Sequence, residues 1–324
     1  MKRKSISYAK WGYIFLIPFF VVYIIFSLYP LFQTFYYSFT DYVKDQGSIG
    51  GGWTRQAVEV TPTFCGFDNY STIFTSGSDL LQSFWNTIIM WIVGFIPQIV
   101  ISLILAVWFT DLRLKIKAQG FFKAVIYLPN VIMASAFAFL FYSLFSRGGA
   151  IYDLIKVPLL ESVWGSRGVV GLINFILWYG NTTILLMAAI MGVDTSLYES
   201  AQIDGATQFQ IFGKIALPLS KPLMATIALF LTFGYWNDWF QSSLYISDTK
   251  LYSLQALLDH VQRNIEMMAN NPSLGVTTAQ YMNSMPKEGA RMAMAIIIII
   301  PIACCYPFFQ KYFISGLTVG AVKG

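Results

Sequence analysis

The side chains in this 324-residue sequence that have the chemistry to handle a solute are few, and nearly all of them are uncharged. Tyr235, Trp236, Asn237 and Asp238 stand together at the end of an apolar run, and Asn174, Trp178, Tyr179 and Asn181 stand together in another. Gln98 and Asn130 lie singly in two more. Aromatic faces stack on sugar rings and amides bond hydroxyls, so the mixture suits an uncharged saccharide. Any single aromatic here is equally accounted for by an interfacial belt or by helix packing, and only the clustering is informative. Asp238 is the acidic residue set well inside an apolar run. It is either functional by virtue of the cost of placing it there, or solvated or paired with an amide. Catalytic chemistry finds little support. The single His260 has no ligand cluster around it, which argues against a metal site. No grouping of His, Cys or paired carboxylates at one depth suggests an enzyme. Cys304 and Cys305 are adjacent in an apolar run and Cys65 is alone, so there is no disulfide framework.

A second region is chemically conspicuous for a different reason. From Tyr198 to Pro222 the chain is polar enough to lie outside a bilayer, yet it carries Phe209, Phe212 and Ala216 at helical spacing. The spacing of Ser196 and Glu199 predicts a capping box that starts a short helix. Gly205 predicts a turn, and Pro218 and Pro222 predict the end of a second short helix. An exposed helix-turn-helix with one apolar face calls for a protein partner. No Gly-x-x-x-x-Gly-Lys-Ser/Thr phosphate loop occurs. Gly213-Lys214 lacks the preceding glycine and is followed by Ile215, so the chain is not expected to hydrolyse ATP.

These residues must be positioned by membrane spans. The chain is 56% hydrophobic and 11% charged, against roughly 25% charged in soluble domains, and its apolar residues are collected into runs of the roughly 20 residues that cross a bilayer. The predicted fold is all-α and polytopic, with six transmembrane helices at 13–35, 86–109, 123–145, 168–193, 222–246 and 290–313. The predicted organisation is a cytoplasmic N-terminus over 1–12, the first span over 13–35 and an extracytoplasmic loop over 36–85. A core of five spans over 86–324 follows, with the polar loop 194–221 inside it. The run after Lys10 is too long and aromatic for a signal peptide and is expected to be a retained span. Lys and Arg are about twice as dense on the side that holds the N-terminus, the 111–123 and 194–221 loops and the C-terminus, which predicts N-in and C-in. The net charge of +5 is therefore read as basic loops in the lipid setting, and no nucleic-acid partner is expected. Pro18, Pro30, Pro97, Pro129, Pro301 and Pro307 fall inside spans, as ordinary kinks or as parts of a gated pore.

The polar loop carries a family likeness. Glu199-Ser200-Ala201, Asp204-Gly205-Ala206 and Ile215-Ala216-Leu217-Pro218 resemble the coupling loop of ABC importer permeases, with Ser200 where the pattern has Ala. Phe64 to Tyr70, Tyr127-Leu128-Pro129 and Trp236-Asn237-Asp238-Trp239 resemble the carbohydrate-uptake, maltose-type branch. The end of the chain, Gly316 to Gly324, resembles the shorter of the two maltose-type permease subunits, and the long loop before the second span resembles the other. The resemblance implies a type I importer permease in a bacterial cytoplasmic (inner) membrane, passing a sugar or oligosaccharide delivered by an extracytoplasmic solute-binding protein. It implies a second permease subunit, as a homodimer or a heterodimer, and two ATP-binding subunits that hold the ATP and magnesium, with no cofactor in this chain. It implies that Glu199, Ala201, Asp204, Gly205, Ala206, Phe209, Phe212, Leu217 and Pro218 couple to the ATPase, Glu199 facing a basic residue there or simply capping its own helix. A permease for a non-sugar solute is the alternative. An ion-coupled secondary transporter is a further one, but no convincing inverted repeat is visible.

Overall fold

The computed structural model describes residues 9–42, 62–75, 79–111, 114, 116–270 and 288–321. Helices α1 (Ala9–Tyr23) and α2 (Tyr29–Tyr37) are joined by a π turn at Ile24–Leu28, and α3 is Asp68–Thr75. Then come α4 (Leu80–Thr110), α5 (Gln119–Val131), α6 (Ala134–Phe145), α7 (Ala150–Ile155) and α8 (Val163–Met191). Two short helices, α9 (Thr195–Ile203) and α10 (Gln208–Ile211), lead through a second π turn at Phe212–Ala216 into α11 (Leu217–Trp236). The chain continues through α12 (Phe240–Tyr245), α13 (Leu254–Asn270) and α14 (Glu288–Ala321). Among the described residues, five stretches are long and apolar enough to cross a membrane, and there are six if the bent α5–α7 region counts as one span. This is the all-α, polytopic fold read from the apolar runs. The described residues fall into two units, one from residues before Asp79 with Asn264–Ile300, the other from Asp79–Arg263 with residues after Ile300.

In the first unit, Lys10–Tyr37 forms a long apolar stretch whose most hydrophobic window has no buried residue. Its far end is tied down by polar backbone. Asn69 donates to the carbonyls of Ser38 and Thr40, both at 2.9 Å, and Thr40 pairs with Phe64 in an isolated antiparallel bridge. Phe39, Phe67 and Tyr70 pack around this knot with their rings edge-on or tilted to one another. The segment from Phe64 to Tyr70 thus ties down the chain just past the end of α2 through the two bonds of the Asn69 amide.

The second unit is built on α4 and α8, packed along their lengths, with α11 against both. Ala106, Leu186, Met187, Ala189, Ile190 and Ile227 form its apolar core. Where α8 meets α5, Gly180 sits so close to the Ile126 carbonyl that a side chain there would overlap the backbone. Small residues at such crossings let helix backbones approach in a medium where apolar burial gives no advantage over lipid. One amide binds the three long helices. Gln98 of α4 is fully buried, donates to the Thr182 hydroxyl of α8 at 2.8 Å and accepts from the Tyr235 hydroxyl of α11 at 2.7 Å. Gly94, one turn earlier, leaves room for the Tyr235 ring, which a side chain there would strike.

Several expectations are corrected here. The third span, expected as one helix over 123–145, is broken: α5 and the following helical stretch are bent by 91° at Ile132 and Met133, neither of which is helical. Pro129 removes one hydrogen bond from the last turn of α5, so that turn is easily ended. The fifth span was expected to begin at Pro222, with Pro218 and Pro222 ending the preceding helix. Instead, helix runs on from Gln208 to Trp236. The π turn is the reason. The Leu217 N–H reaches back to the Phe212 carbonyl, one residue further than in an α-helix, so the chain widens just where the Pro218 ring would clash. The same device precedes Pro30, where the Tyr29 N–H bonds the Ile24 carbonyl. The fifth span also ends sooner than Ile246, at Trp236, because Asn237 leaves helical geometry.

Two substitutions test this packing. Gly180→Val drives a side chain into the α5 backbone and is expected to cost about 1–3 kcal/mol, read as a lower melting temperature in detergent, whereas Gly168→Ala, which meets nothing within 4 Å, leaves it unchanged. Gln98→Leu orphans the Tyr235 hydroxyl and is expected to cost about 1–3 kcal/mol. The double variant with Tyr235→Phe should melt above Gln98→Leu alone, and strict additivity of the two changes would show that the bond is not made.

Candidate functional site

A cavity of about 470 Å³ lies in the second unit among α4, α6, α8, α11 and α12. Six of the ten residues singled out as a solute path line it: Gln98, Asn174, Trp178, Asn181, Tyr235 and Asp238. The helical period explains the group from α8, since 174, 178 and 181 recur at four and three residues and so share one face. The other four lie elsewhere. Tyr179 stacks on Phe175 with ring centroids 5.0 Å apart, and its carbonyl takes a bond from Ser102. Asn130 points its amide at the Leu177 carbonyl, 3.5 Å away. Trp236 is buried edge-on to Phe84, and Asn237 accepts from the Gln255 amide at 3.2 Å.

Asp238 sits in the break between α11 and α12 rather than inside a helix. One carboxylate oxygen accepts from the Asn174 amide at 2.8 Å, and the other accepts from the Gln241 backbone N–H at 3.0 Å, which starts α12. Both readings of this residue therefore have a physical basis: it is paired with an amide and it faces the cavity. Its own carbonyl accepts from Ser253 at 2.9 Å, which fastens the break to the start of α13. The wall has members that the sequence did not mark. Ala134, Leu185, Ile227, Phe230, Leu231, Gly234 and Phe240 are apolar, and their types alone do not separate a cavity face from a lipid face. Gln241 carried a signal, since it is an amide three residues beyond Asp238 in a mostly apolar stretch.

The polar loop forms a compact elbow. The predicted capping box at Ser196 and Glu199 is absent. Asp194 caps α9 instead, accepting from the Ser196 N–H at 3.0 Å, so a residue just upstream outcompeted it for the same orphan donors. The end of α9 explains the Ala-x-x-Asp-Gly-Ala spacing. Ala206 N–H bonds the Ala201 carbonyl at 2.9 Å and Gly205 N–H bonds the Gln202 carbonyl at 3.1 Å, the paired bonds of a Schellman turn. Gly205 occupies φ +79°, which other residues adopt only at a cost. A capping box does occur, two residues later: Thr207 and Gln210 exchange bonds of 2.8 and 3.4 Å to start α10.

The apolar stripe divides at this elbow. Ile211 and Ala216 are buried and Phe212 half-buried, all three lining a small cavity of about 120 Å³ with Thr110, Tyr198 and Gln202. Tyr198 donates to the Ile190 carbonyl, and burial pushes its phenol above the ordinary value. Phe209 and Ile203, by contrast, are 89% and 87% exposed. Glu199, Asp204, Gly205 and Pro218 are exposed, while Ala201, Ala206 and Leu217 are half-buried. The elbow is thus seated on the ends of α4 and α8 by one apolar face and presents a second one outward.

Comparison with known proteins agrees with this architecture. Protein LplC of Bacillus subtilis (strain 168) is 36% identical over 186 residues, 56% of this chain and 59% of LplC. The polygalacturonan/rhamnogalacturonan transport system permease protein YtcP of the same organism is 35% identical over 191 residues, 58% of this chain and 63% of YtcP. The chain thus matches about three fifths of the length of these relatives. A bacterial ABC transporter involved in the import of the acidic polysaccharide alginate has the same fold, with a TM-score of 0.67 at 20% identity over 93% of this chain and 95% of the other. The family model described as binding-protein-dependent transport system inner membrane component matches residues 81–319, which takes in the cavity, the elbow and every helix between them, and the chain belongs to that family.

Proposed function

We propose that this chain is the membrane-spanning permease subunit of an ATP-driven importer and that it passes a saccharide through the cavity among α4, α6, α8, α11 and α12. The observation that carries the reading is the lining of that cavity: four amide side chains, Gln98, Asn174, Asn181 and Gln241, beside Trp178, Tyr235, Phe230 and Phe240. Amides exchange hydrogen bonds with hydroxyls in both directions, and rings cover the apolar faces of a sugar. The volume falls within the roughly 300–1,000 Å³ typical of small-molecule sites. The family description supports a binding-protein-dependent permease, and the name of the relative YtcP, a polygalacturonan/rhamnogalacturonan transport permease, supports a saccharide as the class of solute.

The elbow of α9 and α10 is the proposed seat of the ATPase. Its bare apolar tip, Phe209 with Ile203, is held between a Schellman turn and a capping box. A tip of that kind transmits displacement instead of absorbing it. Glu199 offers a carboxylate to a basic residue of the partner. In this reading two ATP-binding subunits hold the ATP and magnesium, and closure of their dimer moves the elbow. A second permease copy or homologue completes the passage, and a solute-binding protein delivers from the far side. The elbow then faces the cytoplasm, with both chain ends on that side.

Two measurements decide between this and simpler roles. Phe209→Ala in the assembled importer is expected to lower solute-stimulated ATP hydrolysis by about tenfold, the equivalent of about 1.4 kcal/mol at a buried contact, with Glu199→Ala lowering it in the same direction. Unchanged stimulation and uptake in both variants would remove the elbow from coupling. Trp178→Ala is expected to reduce saccharide uptake into proteoliposomes by about tenfold while assembly with the ATPase persists. Full uptake by that variant would place the solute path elsewhere.

A further inference from the structure

The cavity stops short of one end of the bundle. Helices α4 and α8 both finish at the elbow, yet among the described residues none of α4 before Gln98 and none of α8 before Asn174 lines the cavity. The remote starts of these helices carry instead a layer of polar groups bonded to one another. Arg167 of α8, about two turns beyond Asn174, is 6% exposed and donates to the Asn86 Oδ1 in α4. That bond fixes the direction of the Asn86 amide, because its nitrogen must then turn to acceptors. It donates to the carbonyls of Lys250 and Tyr252 at 2.8 and 3.2 Å, in and just after the 3-10 turn Thr249–Leu251. The Leu254 N–H donates to the Thr87 hydroxyl at 2.9 Å, and Ser253 bonds Ser242 as well as the Asp238 carbonyl. The connection from α12 to α13 is thereby strapped between the start of α4 and Asp238 of the cavity wall.

This strap depends on a buried cation. Among the described residues no carboxylate pairs with Arg167. Its guanidinium lies over the Trp164 ring, 5.1 Å from the centroid, and its Nε has no hydrogen-bond partner. A buried cation met only by an amide and a ring is held at a cost, and that cost favours a rearrangement that lets water reach it. A solute arriving from the remote side has to part this layer. Because α4, α8 and α11 are bound to one another at Gln98, the strap is the part that can leave without separating them. We propose that Arg167 and Asn86 are positioning residues that keep the remote end of the cavity shut, and that this end opens when Asn86 releases the Lys250 and Tyr252 carbonyls. The proposal rests on the cavity being the solute's passage and is independent of whether the solute is a saccharide.

The test places a reporter in the cavity, Leu185→Cys in a chain whose Cys65, Cys304 and Cys305 are changed to Ser, within the assembled importer in right-side-out and inside-out membrane vesicles. A thiol reagent that cannot the membrane cross reads access from each side without ATP. With Arg167 and Asn86 intact, labelling from the side remote from the elbow is expected to be slow. Asn86→Asp should speed it about tenfold through the loss of two hydrogen bonds, because the carboxylate still takes the Arg167 bond but turns an oxygen toward the two carbonyls. Its melting temperature should hold, since the new ion pair offsets the lost bonds. Arg167→Gln should act in the same direction, and Arg167→Lys, which keeps the charge, by less. Labelling at the original rate in folded Asn86→Asp and Arg167→Gln would overturn the proposal. So would labelling that quickens equally from both sides, which reports general loosening. Should Asn86→Asp fail to fold, the two Arg167 variants decide. Uptake that persists after the reporter is labelled from the elbow side would remove the passage reading, and this proposal with it.

Discussion

Polar groups carried into an apolar environment must find one another, and in this protein that requirement is met most sharply at the side chain of Gln98. A fully buried amide in α4 is tolerable only because Thr182 in α8 and Tyr235 in α11 occupy both of its ends. These two bonds, one from α4 to α8 and one from α11 to α4, set the distance between α8 and α11 and so the width of the cavity between them. Gly94 is part of the same arrangement, because the Tyr235 ring reaches Gln98 through the space where a side chain would stand. The cavity is what remains once these groups have satisfied each other.

The prolines show how backbone chemistry shapes the same bundle without breaking it. A proline in a helix removes one donor and pushes its ring against the carbonyl four residues back. At Pro30 and at Pro218 the chain meets this with a π turn whose wide bond is made by the N–H of the preceding residue, Tyr29 or Leu217. The second case has a mechanical consequence. Because the helix continues through Phe212–Ala216 into α11, the elbow is joined to a wall of the cavity by unbroken helical backbone. Displacement of the exposed tip at Phe209 has a direct path to Tyr235, at the other end of that helix. Pro129 behaves differently. It lies in the last turn of α5, which two non-helical residues follow, and the break there turns the chain by 91° and brings Ala134 to the cavity.

Much of this was legible in the residues. Apolar runs of bilayer length located the spans, since hydrophobic content is a local property that needs no knowledge of the fold. The pattern at Ala201, Asp204, Gly205 and Ala206 was legible for a similar reason: a Schellman turn is closed by bonds within six residues, and only glycine sits easily at its left-handed position. Clusters of amides and aromatics in apolar runs pointed to Asn174, Trp178, Asn181 and Tyr235, because such groups avoid lipid whatever they face instead.

What could not be read from the chain depended on competition or on distance. Asp194 and Ser196 both have the chemistry to cap α9, and the choice between them is a small energy difference set by how α8 ends. A proline marks a helix end or the exit of a π turn with equal plausibility until the neighbouring helices supply partners for the freed carbonyls. Tyr179 and Asn181 are two residues apart and alike in character, yet one packs on Phe175 and the other lines the cavity. Residue type and spacing thus specified which segments enter the membrane and which short turns close on themselves. The bonds from Gln98 to Thr182 and Tyr235, and from Asp238 to Asn174, join residues 64 to 137 positions apart, so only the packed helices determined which polar groups satisfy each other and which remain open to a solute.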